Sequence, residues 1–279
     1  MGNGVEHYEN FPVASLLCPP ALRPAVVAIY RFARIADDIA DEGDAPPAQR
    51  LADLAAYRVD LERAGRADAT SPRWPEVFGP LAERMREFEL PARLLHDLLD
   101  AFEQDVRNPP YPDRASLLDY CRRSANPIGR LLLHLYGIDD AIALGRADAV
   151  CSALQLVNFW QDLSVDGPRG RCYVPEADQR AHGVGRDQLL LGVDSPAARA
   201  LVRSLCDWTV ALMREGAPLA RSIPGRAGWE LRLVVQGGLR VVEKIRAMDH
   251  ATLARRPRLR ASDLPALLWR AALMSDVSR

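Results

Sequence analysis

The stretch RPAVVAIYRFARIADDIADE, residues 23–42, decides the fold. Within it Val26, Val27, Ile29, Tyr30, Ala33, Ile35, Ala36, Ile39 and Ala40 recur at three- and four-residue steps, the period of a helix with one face on a core. Pro24 stands in the first turn, where a missing N–H is tolerated, and Gly43 follows the acidic end as a stop. The same period continues outward. It predicts helices over 48–64, 76–88 and 91–106, over 116–135 with a disturbance at Asn126-Pro127, over 139–163, and over 197–214, 227–248 and 262–274. Residues 164–196, rich in Gly, Pro and Asp, read as irregular. No strand alternation persists, no repeat is visible and no linker is long enough to divide domains. The expectation is one all-α domain over 1–279.

Composition agrees. Ala, Leu and Arg dominate while threonine is confined to Thr70, Thr209 and Thr252, a bias toward helix formers. The 36 Lys and Arg against 37 Asp and Glu leave a net charge of −1, which argues against a nucleic-acid partner. Lys244 is the one lysine. The five cysteines (Cys18, Cys121, Cys151, Cys172, Cys206) form no CxxC pair, so neither a disulfide framework nor a zinc site is expected, and a reducing compartment is. The opening MGNGVEHYENF has no basic or apolar leader pattern, and Glu6 breaks the myristoylation pattern. No apolar run approaches the roughly 18 residues of a membrane span. A cytoplasmic protein is expected, with peripheral membrane contact kept open.

Two acidic clusters carry chemistry. In the first, Asp37 and Asp41 are four apart and project from one helix face, with Asp38 between them. A plain reading is a solvated face on which Arg34 pairs with Asp37 or Asp38. Like charges so close repel, however, and a cation bound between them would remove the conflict. In the second, Asn158, Asp162 and Asp166 fall at i, i+4 and i+8 among Leu154, Leu156, Val157, Phe159, Trp160 and Leu163. The plain reading there is a helix end with an acidic tail. Carboxylates in an apolar setting call for a metal or an arginine. Arg169, Arg171 and Tyr173 follow directly. Two all-oxygen stripes suit Mg²⁺, and forked guanidiniums suit phosphate oxygens, so the two clusters together describe a diphosphate held across a helical cavity.

On these residues the chain resembles the squalene/phytoene synthase family, head-to-head prenyl synthases of the all-α isoprenoid synthase fold, from about His7 to Ile245. Asp37-Asp38-Ile39-Ala40-Asp41, preceded by Tyr30 and Arg34, looks like the family's first aspartate-rich motif. Asn158…Asp162…Asp166 with Arg169-Gly170-Arg171-Cys172-Tyr173-Val174-Pro175 looks like the second. The resemblance implies that Asp37, Asp41, Asn158, Asp162 and Asp166 bind Mg²⁺ and diphosphate, Asp37 and Asp41 thereby assisting ionisation. It implies diphosphate contacts from Arg34, Arg171 and Tyr173, with His7 as a polar contact, and Tyr120 beside the reacting carbons.

The departures from the family pattern are specific. Gln161 replaces a cation and Val165 an acid, the small-residue helix break reads Ser124-Ala125-Asn126-Pro127-Ile128-Gly129, and His7 to Ser15 differs from the usual opening. These variations are similar to the hydroxysqualene synthase branch, part of bacterial hopanoid biosynthesis. That branch ionises presqualene diphosphate, captures the cation with water and uses no NADPH, so none is expected here. Phe11, Phe159, Tyr120 and Trp160 are candidate cavity aromatics, with Ser124, Ala125 and Gly129 at the break as substrate contacts. Asn126 or Gln161 is the candidate holder of the capturing water. The alternatives are a synthase condensing two prenyl diphosphates, and an inactive relative serving as an assembly or lipid-transfer subunit. Hand-over of product to the next enzyme of squalene synthesis also stays open. His96, His134, His182 and His250 make no metal spacing. The run Arg255-Arg256-Pro257-Arg258-Leu259-Arg260 reads as solvated, or as meeting anionic lipid with Leu264, Leu267, Leu268 and Trp269.

Overall fold

A computed structural model describes residues 18–274, and every regular element among them is helical. The first half holds α1 (Arg23–Asp41), α2 (Pro47–Gly65), α3 (Pro75–Glu87), α4 (Ala92–Arg107), α5 (Arg114–Ser124) and α6 (Asn126–Leu135). The second holds α7 (Ala141–Gln161), α8 (Leu163–Asp166), α9 (Glu176–His182), α10 (Arg186–Leu190), α11 (Pro196–Gly216), α12 (Leu219–Ser222), α13 (Gly225–Ala247) and α14 (Leu264–Leu273). The periodic pattern placed the long helices to within about two residues, as expected where terminal turns fray. It missed α8, α9, α10 and α12, because helices this short contain too few turns to display a period. The segment 164–196 is therefore largely helical rather than irregular.

Helix starts follow local chemistry. Pro24, Pro47, Pro75 and Pro196 each occupy the first or second helical position. Asp113 accepts from the Ser116 N–H, Asp140 from Ala143 and Ser195 from Ala198, capping α5, α7 and α11. At Pro127 the missing N–H stops one helix from running through, so α5 ends and α6 begins across Ala125 at φ −120°, ψ −45°.

The core gathers in two large clusters. One lies under α1 to α4, where Phe32, Tyr57 and Phe78 are fully buried and the Tyr57 hydroxyl donates to the Phe32 carbonyl at 3.0 Å. Truncating such a ring to alanine costs about 3–5 kcal/mol. The other surrounds α7, which packs against α5, α6, α11 and α13 and is apolar on nearly every side. Helices α1, α4, α5 and α7 pack in series, and the facing ends of these four hold the polar residues described next.

Candidate active site

The first acidic cluster occupies the last turn of α1. Arg34 reaches Asp37 at 3.1 Å, Asp38 at 2.6 Å and Glu42 at 3.0 Å along its own helix. Tyr30 lies one turn before Arg34, half-buried and close enough to bear on its charge. Asp41 points elsewhere. Its carboxylate is gripped by both terminal nitrogens of Arg171, Nη1 to Oδ2 at 2.6 Å and Nη2 to Oδ1. Desolvation inside the cavity, with Asp41 beside it, pushes the Asp37 carboxyl up to about 6.

The second cluster closes α7. The helix breaks at Asp162 (φ −102°, ψ 10°) and resumes as the single turn α8, so the expected straight stripe is bent at its middle residue. Asn158 is exposed while Asp162 and Asp166 are half-buried. Burial and the neighbouring Asp162 push Asp166 up to about 7. Gly170, at φ +77°, reverses the chain after α8 in a conformation that favours glycine, and Asn108 Nδ2 donates to its carbonyl at 2.9 Å. That turn delivers Arg171 to Asp41 and Tyr173 to the aromatic wall.

The wall is built around a residue that the sequence reading passed over. Asp105, on the last turns of α4, accepts from the Tyr120 hydroxyl at 2.7 Å and from the Tyr173 hydroxyl at 3.3 Å. Phe159 and Tyr173 stack with centroids 3.8 Å apart and planes 7° from parallel, while Tyr111 and Tyr120 meet edge to face at 5.6 Å. Burial raises the Asp105 carboxyl to about 7, the Tyr120 hydrogen bond opposing and Asp41 adding to the shift. A signal was present. Asp105 follows Leu98 by seven residues and Phe102 by three, so a carboxylate stands on the apolar stripe of α4.

The structure also redirects several expected roles. Asn126 is buried between helices. It hydrogen-bonds Ser152 at 2.8 Å, and with its amide turned over it also donates to the Cys121 and Asp148 carbonyls, so it pins α5 and α6 to α7. Gln161 is fully buried and its Nε2 donates to the Pro257 carbonyl at 2.7 Å, which commits the amide to the C-terminal segment. A Cβ on Gly129 would lie 2.5 Å from Cys151 Sγ, so this glycine serves the close approach of α6 to α7. Trp160 is core, its indole N–H donating to Thr209 at 2.8 Å. Ala125 forms the break, and beside it Ser124 Oγ is buried with no hydrogen-bond partner, one turn along α5 from Tyr120. His7 and Phe11 lie outside the described residues.

The basic run is not simply solvated. Arg256 is 13% exposed and folds onto Asp162, Nη2 to Oδ2 at 3.1 Å and Nε to Oδ1. Desolvation raises Asp162 and Arg256 opposes that shift. Nothing local marks this contact, because the partners are 94 residues apart.

These side chains fit Mg²⁺ in a particular way. The donors are all oxygen, and burial, with neighbouring carboxylates adding to it, raises Asp37, Asp105 and Asp166, carboxyls that a cation would favour in their ionised form. Among the described residues no three His, Cys, Asp or Glu side chains gather closely enough to cage an ion. The set therefore suits a cation shared between one or two carboxylates and a substrate's phosphate oxygens, not one held by protein alone.

Known proteins resemble this chain in sequence and fold. The model of the squalene/phytoene synthase family matches residues 5–263. A hydroxysqualene synthase from Rhodopseudomonas palustris is 35% identical over 245 residues, covering 86% of this chain and 80% of its own. A phytoene synthase from Thermus thermophilus is 32% identical over 269 residues, covering 96% and 89%. The crystal structure of squalene synthase HpnC from Alicyclobacillus acidocaldarius superposes with a TM-score of 0.79 at 36% identity, over 88% of this chain and 90% of that one. The fold is that of the isoprenoid synthases.

Proposed function

The chain belongs to the squalene/phytoene synthase family, and from that premise we propose that it converts presqualene diphosphate and water to hydroxysqualene and diphosphate. The observation that carries this reading is the meeting of two unlike walls. Arg171 ties the second acidic motif to Asp41, and two residues later Tyr173 joins Tyr120 on Asp105 among stacked rings. One wall suits a leaving diphosphate and the other a carbocation.

In the first step the carbon–oxygen bond to diphosphate breaks and the electron pair leaves with the oxygen. Mg²⁺, each ion shared between one or two of Asp37, Asp41, Asn158, Asp162 and Asp166 and the substrate's phosphate oxygens, would neutralise the charge developing on the diphosphate. Arg171 supplies a planar fork whose grip on Asp41 has the geometry that also suits phosphate oxygens. The cation is sheltered by Phe159, Tyr120 and Tyr173, whose ring faces attract positive charge. Two phenols donating to one carboxylate make those rings more electron-rich, which gives Asp105 a positioning role. Ser124 Oγ, buried and without a partner one turn from Tyr120, holds the water. The cyclopropylcarbinyl cation left behind rearranges with opening of its ring, the water oxygen bonds to the rearranged cationic carbon, and its proton passes through the Tyr120 hydroxyl to Asp105.

Gln161 supports the hydrolytic branch, since a neutral amide committed to Pro257 stands where condensing relatives carry a cation. The phytoene synthase match over most of the chain favours the second reading, condensation of two prenyl diphosphates. Incubating the protein with presqualene diphosphate and Mg²⁺, without NADPH, distinguishes them by mass spectrometry. A hydroxylated C30 alcohol with equimolar diphosphate supports the proposal. No turnover of presqualene diphosphate, with a C30 product from farnesyl diphosphate alone, overturns it.

A further inference from the structure

The last helix, α14, has the sequence LPALLWRAAL, and the way it is seated leaves its outer side without a charge. Leu267 and Ala271 are buried against the body and Met274 packs in the cluster with Val235 and Ala220. The one charged side chain, Arg270, turns onto Glu243. What faces outward is Leu264, Leu268, Trp269 and Leu273, exposed by 56%, 46%, 66% and 56%. A helix apolar all round belongs in an interior, and large apolar residues gathered on a surface mark a face that meets something. Leu267 is thus removed from the face expected from sequence, and Leu273 joins it.

The chemistry beside this face selects the occupant. The segment 254–262 leading into α14 contains no acidic residue, and Arg255, Arg258 and Arg260 within it are exposed. Arg256 is the exception, turned inward to Asp162. On α13, against which α14 packs, Trp229 is 39% exposed, with Arg226 exposed one turn before it and Arg232 over its ring at 5.6 Å. Leucine and tryptophan on a short surface helix beside excess arginine is the complement of an anionic bilayer surface, where rings enter the headgroup boundary and guanidiniums meet phosphates. Among the described residues no helix is long and apolar enough to cross a membrane, so the contact is peripheral.

We propose that the outer face of α14, with Arg255, Arg258 and Arg260, docks this protein on an anionic lipid surface. No residue of the acidic or aromatic walls belongs to this surface, so the docking holds whichever family reaction the protein performs.

The test is co-flotation of the full chain with vesicles of phosphatidylcholine, with and without phosphatidylglycerol. The wild type is expected to float with phosphatidylglycerol vesicles, and added salt should release it. The exposed-face variant Leu268→Glu/Trp269→Glu and, separately, Arg255→Glu/Arg260→Glu should each weaken binding roughly tenfold or more. Both should keep the wild-type melting temperature and turnover of detergent-dispersed substrate. Absence of wild-type binding to either vesicle, or undiminished binding by both variants, overturns the proposal. So does a wild-type dimer in gel filtration that Leu268→Glu/Trp269→Glu dissociates while the wild type ignores vesicles, because the face would then belong to a second copy.

Discussion

Arg171 lays both terminal nitrogens on the Asp41 carboxylate, joining two acidic motifs that are 130 residues apart in the chain. The pair is four-fifths buried on each side and stands among Asp37, Asp105 and Asp166. Removing it should therefore strike both the chemistry and the balance of charge. Arg171→Ala is expected to lower kcat by about 100- to 1,000-fold, the range for losing one preorganised donor to a leaving group. Its stability at pH 8 should fall by roughly 1–3 kcal/mol, because a buried carboxylate loses its partner. Arg171→Lys should recover stability better than rate, since a point charge lacks the fork. A rate within twofold of wild type for Arg171→Ala would remove this residue from the diphosphate site.

Proton linkage gives a second expectation. Asp37 and Asp166 are raised to about 6 and about 7, above the unfolded carboxylate value of about 3.9. A group raised on folding contributes stability that is present below its unfolded value and lost as pH rises through its folded value. The metal-free protein should thus lose stability as pH rises from about 4 to about 7 at these two sites. Mg²⁺ with inorganic diphosphate needs them ionised, so binding should release protons and raise the melting temperature more at pH 8 than at pH 6. Calorimetry in two buffers of different ionisation heat checks the release, and equal heats would contradict it.

Asp105 separates stability from function. Its carboxyl is held near 7 by burial, so at pH 8 the folded state carries a disfavoured charge. Asp105→Asn should melt no lower than wild type at pH 8 and yet turn over at least tenfold more slowly, by the usual worth of a positioned acid–base group. Tyr120→Phe should show a similar loss, and the double variant little more than either alone. Full additivity would mean that the two do not act as a unit.

The proposed mechanism gives the capturing water to Ser124 and leaves Asn126 to hold helices together. Ser124→Ala should still release diphosphate at close to the wild-type rate while the share of alcohol among the products falls, read by mass spectrometry. Asn126→Leu should instead lower stability by about 1–3 kcal/mol, the cost of unpairing buried carbonyls and hydroxyls, with the product mixture little changed. The reverse pattern would return the water to Asn126.

Much of this site was readable because its chemistry is local. Asp37 with Asp41, and Asn158 with Asp162, are single-turn spacings, and Gly170 just before Arg171 announces a turn. Asp105 left only the faint mark of a charge on an apolar stripe. Arg256 left none, since a basic run looks alike whether it meets water or folds back.

The amino-acid sequence by itself determined the long helices and the two carboxylate motifs, because helical period acts within a few residues. Tertiary structure alone decided which charges meet. Arg171 on Asp41, Arg256 on Asp162 and the tyrosines on Asp105 are bonds between distant segments, made where burial strips water from the carboxylates and a partner offsets part of that cost. The same packing turned Leu267 inward and left Trp269 outside, which no period of ten residues could assign.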